Sequence, residues 1–226
     1  LIINTDHGFL LGEHDWWAKM VPPFYNEVAH TPLFIWDPRI GRQAQRVNGL
    51  VQMIDLPATL LDFFEIEQPA DMQGVPLQDA MENDAPVREA AIFGMHGGHI
   101  NITDGRYVYM RAPATPDNRP LNEYTLMPTH MRFRFFPEEL QDIQLQEPFT
   151  FTKGCRTMKI EARFPMGAVE FDTLLFDLKN DPQQENPIHD PAVEDRLCRL
   201  MVKTMVENDA PRDQFERMGL EAYLDE

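Results

Sequence analysis

Asp6 and His7 stand side by side at the end of the apolar run Leu1–Asn4, and Gly8 follows them. A carboxylate and an imidazole are a natural ligand pair for a divalent cation. Adjacent residues can both reach one point where the backbone turns, and a glycine permits such a turn. Lys19 follows twelve positions after His7. An ammonium there can neutralise charge on a transferring anionic group. Taken alone, the pair has a plainer reading, a capping carboxylate beside a surface histidine, and Lys19 has one as a solvated amine. His96 and His99 bracket Gly97-Gly98 on an expected strand, and His130 lies in Met-Pro-Thr-His-Met-Arg. All three are candidates to contact substrate; ordinary strand-end histidines are the alternative for the first two. Trp16 and Trp17 could wall a sugar or aryl group, with at least one of them expected in the core. Cys155 and Cys198 lack metal-ligand spacing, and serine is absent. No serine nucleophile exists in this chain.

The elements that must position these residues read as an α/β layer. Leu1–Asn4 is a short strand, and Pro32–Trp36 reads as a second, buried and parallel to the first. Pro22-Pro23 breaks any helix between them. Asp55 reads as an N-cap with Pro57 in the first turn. Leu56, Leu60, Leu61, Phe63 and Phe64 then mark a helical stripe. In an open α/β sheet, ligands bind beyond the carboxyl ends of strands, which is where Asp6 and His7 fall.

Three segments follow: 1–65 as the end of an α/β domain, 66–90 as a connection, and 91–226 as a smaller α+β subdomain. In the last, Ala91–Ile102 and Tyr107–Arg111 read as two strands around the turn Thr103-Asp104-Gly105-Arg106. A long, proline-rich loop is expected at 112–150. Leu174–Leu178 reads as a strand. Asp190-Pro191 opens a helix with Val193, Leu197, Leu200, Met201 and Met205 on one face. The stretch from Asn208 is expected to drape over the surface.

The 226 residues carry a net charge of −17, so a phosphate-backbone partner is not expected. Adsorption to an anionic membrane is disfavoured for the same reason. No apolar run approaches the roughly 20 residues of a membrane helix. A locally basic pocket for a small anion remains compatible with the acidity. Two cysteines and no signal-peptide pattern at Leu1 give a cytoplasmic reading. A strand at the first residues reads as the C-terminal part of something longer.

Several blocks occur in order: Asp6-His7-Gly8, Gly12-Glu13-His14, Trp17 with Lys19, Tyr25 with Glu27, Pro32–Trp36, and Asp55-Leu56-Pro57-Ala58-Thr59-Leu60-Leu61. Leu175-Phe176-Asp177-Leu178, Asn180-Asp181-Pro182 and Glu185-Asn186 come later. This succession resembles the sulfatase family of the alkaline-phosphatase-like superfamily. The resemblance implies an α/β fold: the end of a large mixed sheet, then a smaller subdomain with an antiparallel sheet and a terminal helix. It implies that Asp6 and His7 bind a divalent metal, calcium first, with Mn2+, Mg2+ and Zn2+ as alternatives. It implies that Lys19 is the catalytic lysine on the sulfate oxygens and that His14 packs behind the site.

The family nucleophile is a formylglycine made from the Cys or Ser of C/S-x-P-x-R, and neither cysteine here fits that pattern. The nucleophile and the remaining metal aspartates are therefore expected in an N-terminal half that partners this chain. The chain alone is expected to be inactive. The implied reaction is hydrolysis of a small anionic sulfate ester. A phosphonate monoester or phosphodiester hydrolase of the same superfamily, and a non-catalytic sulfatase-like binding module, are the alternatives.

Overall fold

The computed structural model describes residues 1–19, 23–42, 44–127, 129–130, 132–162 and 167–224. Pro22 of the Pro22-Pro23 pair lies outside the described residues. The first strand, β1 (Ile2–Asn4), runs directly into the Asp6-His7-Gly8 turn. A small antiparallel hairpin follows, β2 (Leu10–Leu11) with β3 (Trp17–Ala18). Then come α1 (Asn26–Ala29) and β4 (Leu33–Ile35).

β4 pairs with β1 antiparallel, placing Ile3 opposite Phe34, so the parallel pairing read from the sequence is corrected. A parallel return needs a crossover element that carries the chain back along the sheet. A four-residue helix is about 6 Å long and returns the chain at the end it left. The pair is not buried either. Ile3, Phe34 and Trp36 are 56%, 65% and 59% exposed.

Helix α2 (Asp55–Phe63) forms where the stripe predicts, and its caps differ. Asp55 lies inside the helix, and its carboxylate is fully buried against Arg88 at 2.6 and 2.7 Å. It also accepts the Gln52 and Val75 N–H groups, so it ties three segments together. The small residues Ala58 and Thr59 face inward, and Leu60, Phe63 and Phe64 face out. The expected connection 66–90 includes α3 (Gln78–Asn83).

The expected strand 91–102 is two strands, β5 (Ala91–Gly94) and β6 (Ile100–Thr103), separated by a loop at 95–99. β7 (Tyr107–Arg111) follows the predicted turn, where Asp104 Oδ1 accepts the N–H groups of Arg106 and Tyr107. The segment 112–150, expected as a loop, contains β8 (Asn122–Thr125) and β9 (Gln144–Gln146). Both pair with β10 (Thr157–Glu161), in the order β8-β10-β9. β11 (Leu174–Asp177) returns to β7 and completes the four-stranded order β11-β7-β6-β5.

Asp190 caps α4 (Pro191–Glu207) by accepting from the Ala192 and Val193 amides, as the sequence predicts. The stretch from Asn208 does not drape. It forms α5 (Arg212–Arg217) and buries Phe215, Met218 and Leu220. Strand alternation separates the two faces of the four-stranded sheet. Ile102, Tyr109 and Leu175 face Leu197, Met201 and Met205 of α4. Val108, Met110 and Phe176 face the other way, toward Tyr25. No described helix is long and apolar enough to cross a membrane.

Candidate active site

At the end of β1 the backbone N–H of His7 donates to Asp6 Oδ1 at 3.0 Å. That bond holds the Asp6 carboxyl below its ordinary range. His7 Nδ1 lies 2.9 Å from Gly8 O, and a carbonyl only accepts, so Nδ1 carries the proton. Nε2 then presents a lone pair. It stands 3.3 Å from Asp6 Oδ2 and 2.9 Å from Lys19 Nζ, whose ammonium donates to it. Asp6, His7 and Lys19 therefore converge on one point, with the Asp6 side chain 81% exposed.

The pair suits a divalent cation. Two ligand atoms about 3 Å apart match adjacent corners of a coordination shell with bonds of about 2.0–2.4 Å. An imidazole that donates its other N–H to a backbone carbonyl is the usual arrangement for a metal-bound histidine. Among the described residues, no group of three or more His, Cys, Asp or Glu is placed to hold a metal ion. Asp6 and His7 supply two donor atoms, fewer than such a group.

The turn is backed by α1. Gly8 N–H donates to Val28 O at 2.9 Å. A Cβ on Gly8 would stand 1.7 Å from Glu27 O, so only glycine allows this approach. His14 stacks on Tyr25 with ring centroids 3.6 Å apart, and its Nε2 is 3.4 Å from Glu27 Oε2. That is the packing role implied for His14. Tyr25 in turn meets Phe176 of β11 edge-on at 6.2 Å.

The other predicted histidines have partners outside this group. His96 Nε2 lies 3.1 Å from Asn122 O, and His99 Nε2 lies 2.8 Å from Asp172 O. Both sit in the 95–99 loop, not on a strand. His99 is buried, which pushes its imidazole pKa down, partly opposed by the Asp172 bond. His130 pairs with Glu139 at 3.0 Å and packs against Phe133 and Phe135. Neither tryptophan enters the core. Trp17 is exposed, and Trp16 lies edge-on to Phe171, next to the residue that holds His99.

Sequence reasoning missed the residues that hold these loops. Buried Arg217 donates to Gly98 O at 3.1 Å and Asn118 Oδ1 at 2.9 Å, and Asn118 donates to Gly97 O at 2.7 Å. Burial lowers the Arg217 pKa to about 10. Gln184, also buried, accepts the Asn26 N–H at 2.7 Å. Only the late Asn180–Asn186 block hinted at such a role.

A family profile described as N-sulphoglucosamine sulphohydrolase, C-terminal, matches residues 12–115. An N-acetylglucosamine-6-O-sulfatase of Bacteroides thetaiotaomicron is 33% identical over 97 residues, covering 41% of this chain and 17% of that protein. An arylsulfatase of Clostridium perfringens is 33% identical over 95 residues, covering 41% of this chain and 19% of that protein. Human arylsulfatase K is 29% identical over 111 residues, covering 46% of this chain and 20% of that protein.

Two solved structures share the fold. One is described as a complex with its substrate D-glucosamine-2-N,6-O-disulfate. It aligns with a TM-score of 0.60 at 20% identity, over 94% of this chain and 35% of that one. The other, described as a 2-O GAG sulfatase, aligns with a TM-score of 0.58 at 17% identity, over 92% of this chain and 36% of that one. This chain thus shares its fold with about a third of each of these larger proteins. The sequence matches, over 41–46% of this chain, are likewise to sulfatases. The chain spans about a fifth of the length of the curated relatives it matches.

Proposed function

We propose that the intact protein carrying this chain hydrolyses a sulfate ester through a formylglycine nucleophile located in an N-terminal part. One observation carries the reading. Asp6 Oδ2, His7 Nε2 and Lys19 Nζ meet at one strand end, with separations of 3.3 and 2.9 Å, in a chain similar to sulfatases. Asp6 and His7 would hold a divalent cation, calcium first, with manganese, magnesium and zinc as alternatives. Bound there, the cation would supply positive charge to the sulfate oxygens and to the nucleophile.

In this reading His7 Nε2 and Asp6 Oδ2 would hold the cation, and Lys19, now 2.9 Å from His7 Nε2, would be free for the sulfate. There its ammonium would offset charge developing on the bridging oxygen. Gly8 O would orient the His7 ring by accepting its Nδ1–H. His99 and His96 contribute to substrate binding from the 95–99 loop, which meets the lysine's hairpin through Asp172, Phe171 and Trp16. His130 serves the substrate entrance. The N-terminal part covers the apolar surface of β1, β4 and α2, where Phe34, Trp36 and Phe64 are exposed.

The test is turnover of p-nitrophenyl sulfate by the intact protein, with and without EDTA, against Lys19→Ala and His7→Ala. A fall in kcat of about 100-fold or more is expected for Lys19→Ala. Wild-type turnover in that variant would remove the sulfate-contact role. Faster turnover of an aryl phosphodiester than of the sulfate would move the protein to the phosphodiesterase branch.

A further inference from the structure

We infer that Gln184 is a positioning residue for the Asp6–His7 pair and acts on it through α1. The inference rests on the proposed metal role of that pair. Gln184 sits in the turn between β11 and α4, and it is 2% exposed. The turn is stiffened by its carboxylates. Asp181 accepts the Glu185 and Asn186 amides at 3.2 and 2.8 Å. Asp177 accepts from Arg106, the Lys179 amide and Asn180.

From this frame Gln184 Oε1 reaches back 158 positions in sequence to the Asn26 N–H. The first amides of a helix have no partner within the helix. A four-residue helix has too few internal bonds to persist by itself. What fixes α1 must therefore come from outside, and α1 in turn sets the Gly8 backbone through Val28 O and Glu27 O.

The amide orientation is forced. A flipped side chain would set NH2 against N–H. Gln184 Nε2 is buried with no acceptor among the described residues. Burying that donor unpaired costs stability, and an apolar side chain of similar size would avoid the cost. The single bond the amide makes is therefore what the position contributes.

The experiment uses the intact protein with Gln184→Leu and Gln184→Glu. It reads hydrogen exchange at the Gly8 amide, Ca2+ affinity by calorimetry, and kcat and KM on p-nitrophenyl sulfate. In Gln184→Leu the Gly8 amide should exchange about tenfold faster. Ca2+ should bind about tenfold more weakly, and kcat should fall by a similar factor with KM little changed. Gln184→Glu keeps an acceptor oxygen and should return all three to within about threefold.

Asn26→Pro breaks the same bond from the other side. Tyr25 is already extended, with φ −64° and ψ 164°, so the first helical position accepts proline. It should reproduce the Gln184→Leu changes even if Gln184→Leu folds poorly. Unchanged Gly8 exchange in both variants, or faster exchange with Ca2+ affinity intact, overturns the proposal. His7→Ala separates the two readings. Intact Ca2+ affinity in His7→Ala brings down the metal assignment and the proposal with it. Lost affinity there, beside unchanged Gln184→Leu and Asn26→Pro, overturns the proposal alone.

Discussion

Gly8→Ala puts one methyl group where the fold has no room for it. The built Cβ lies 1.7 Å from Glu27 O and 2.8 Å from its carbonyl carbon. Real Cβ contacts essentially never fall below 3.0 Å, so the turn and α1 must separate by about 1.3 Å or more. The 2.9 Å bond from Gly8 N–H to Val28 O would then stretch beyond hydrogen-bonding range. A lost hydrogen bond is worth about 1 kcal/mol net. Overpacking costs about 1–3 kcal/mol more. The expected loss is about 2–4 kcal/mol of stability. Asp6 and His7 move with the turn, and a displacement near 1 Å can cost about 100-fold in rate. The assay pairs urea unfolding with kcat on p-nitrophenyl sulfate in the intact protein. Gly41→Ala is the control, because a Cβ there meets nothing within 4 Å and should change stability by less than about 0.5 kcal/mol. If Gly8→Ala matches that control in both readouts, the backing of the turn by α1 does not position the pair.

Two further substitutions probe the frame around the site. Asp55→Asn should cost about 3–5 kcal/mol in urea unfolding, because it leaves the Arg88 guanidinium without its buried partner. Burial raises the Asp55 pKa, but Arg88 and the amides of Val75 and Gln52 outweigh it and hold the carboxyl below its ordinary 3.8. Its contribution is thus complete above pH 3.8 and is lost as pH falls through the lower folded-state value. Wild type should lose stability over that acid range, and Asp55→Asn should follow a flatter profile. Asn118→Ala removes the acceptor for Arg217 and the donor to Gly97 O, so a loss of about 2–4 kcal/mol is expected. A melting temperature within about 1 °C of wild type would show that Asn118 does not fasten the 95–99 loop.

The sequence revealed most where one local rule acted alone. Asp190-Pro191 is a cap followed by a residue suited to the first helical turn, and α4 begins there. Thr103–Arg106 carries its own turn bonds, and the hairpin forms. Asp6, His7 and Lys19 came from family motifs, and the fold brings them together. The errors arose where distant contacts override local signals. Asp55 has the look of a cap, but Arg88, 33 positions later, takes its carboxylate inward. The apolar stripe of α2 marks a real amphipathic helix, yet nothing in a stripe says which side faces this chain's core. The 112–150 segment has little periodicity because its strands are three or four residues long. Arg217 could not be read at all, and Gln184 only through the block that contains it, because their partners lie 119 and 158 positions away.

The two faces of the four-stranded sheet explain why a site at a bare strand end can hold its shape. One face packs α4 and α5 through Tyr109, Leu175, Met201 and Phe215, and this is the main core. The opposite face carries Val108, Met110 and Phe176, and Tyr25 packs on it. Tyr25 stacks on His14 and immediately precedes α1, whose carbonyls fix Gly8. The turn beyond β11 reaches the same helix through Gln184. β11 therefore grips α1 twice, once by aromatic packing from its middle and once by a hydrogen bond from the turn at its end. Asp6 and His7 lie on a short, solvent-facing turn that its own bonds could not fix. They take their rigidity from a core built some 170 residues later in the chain.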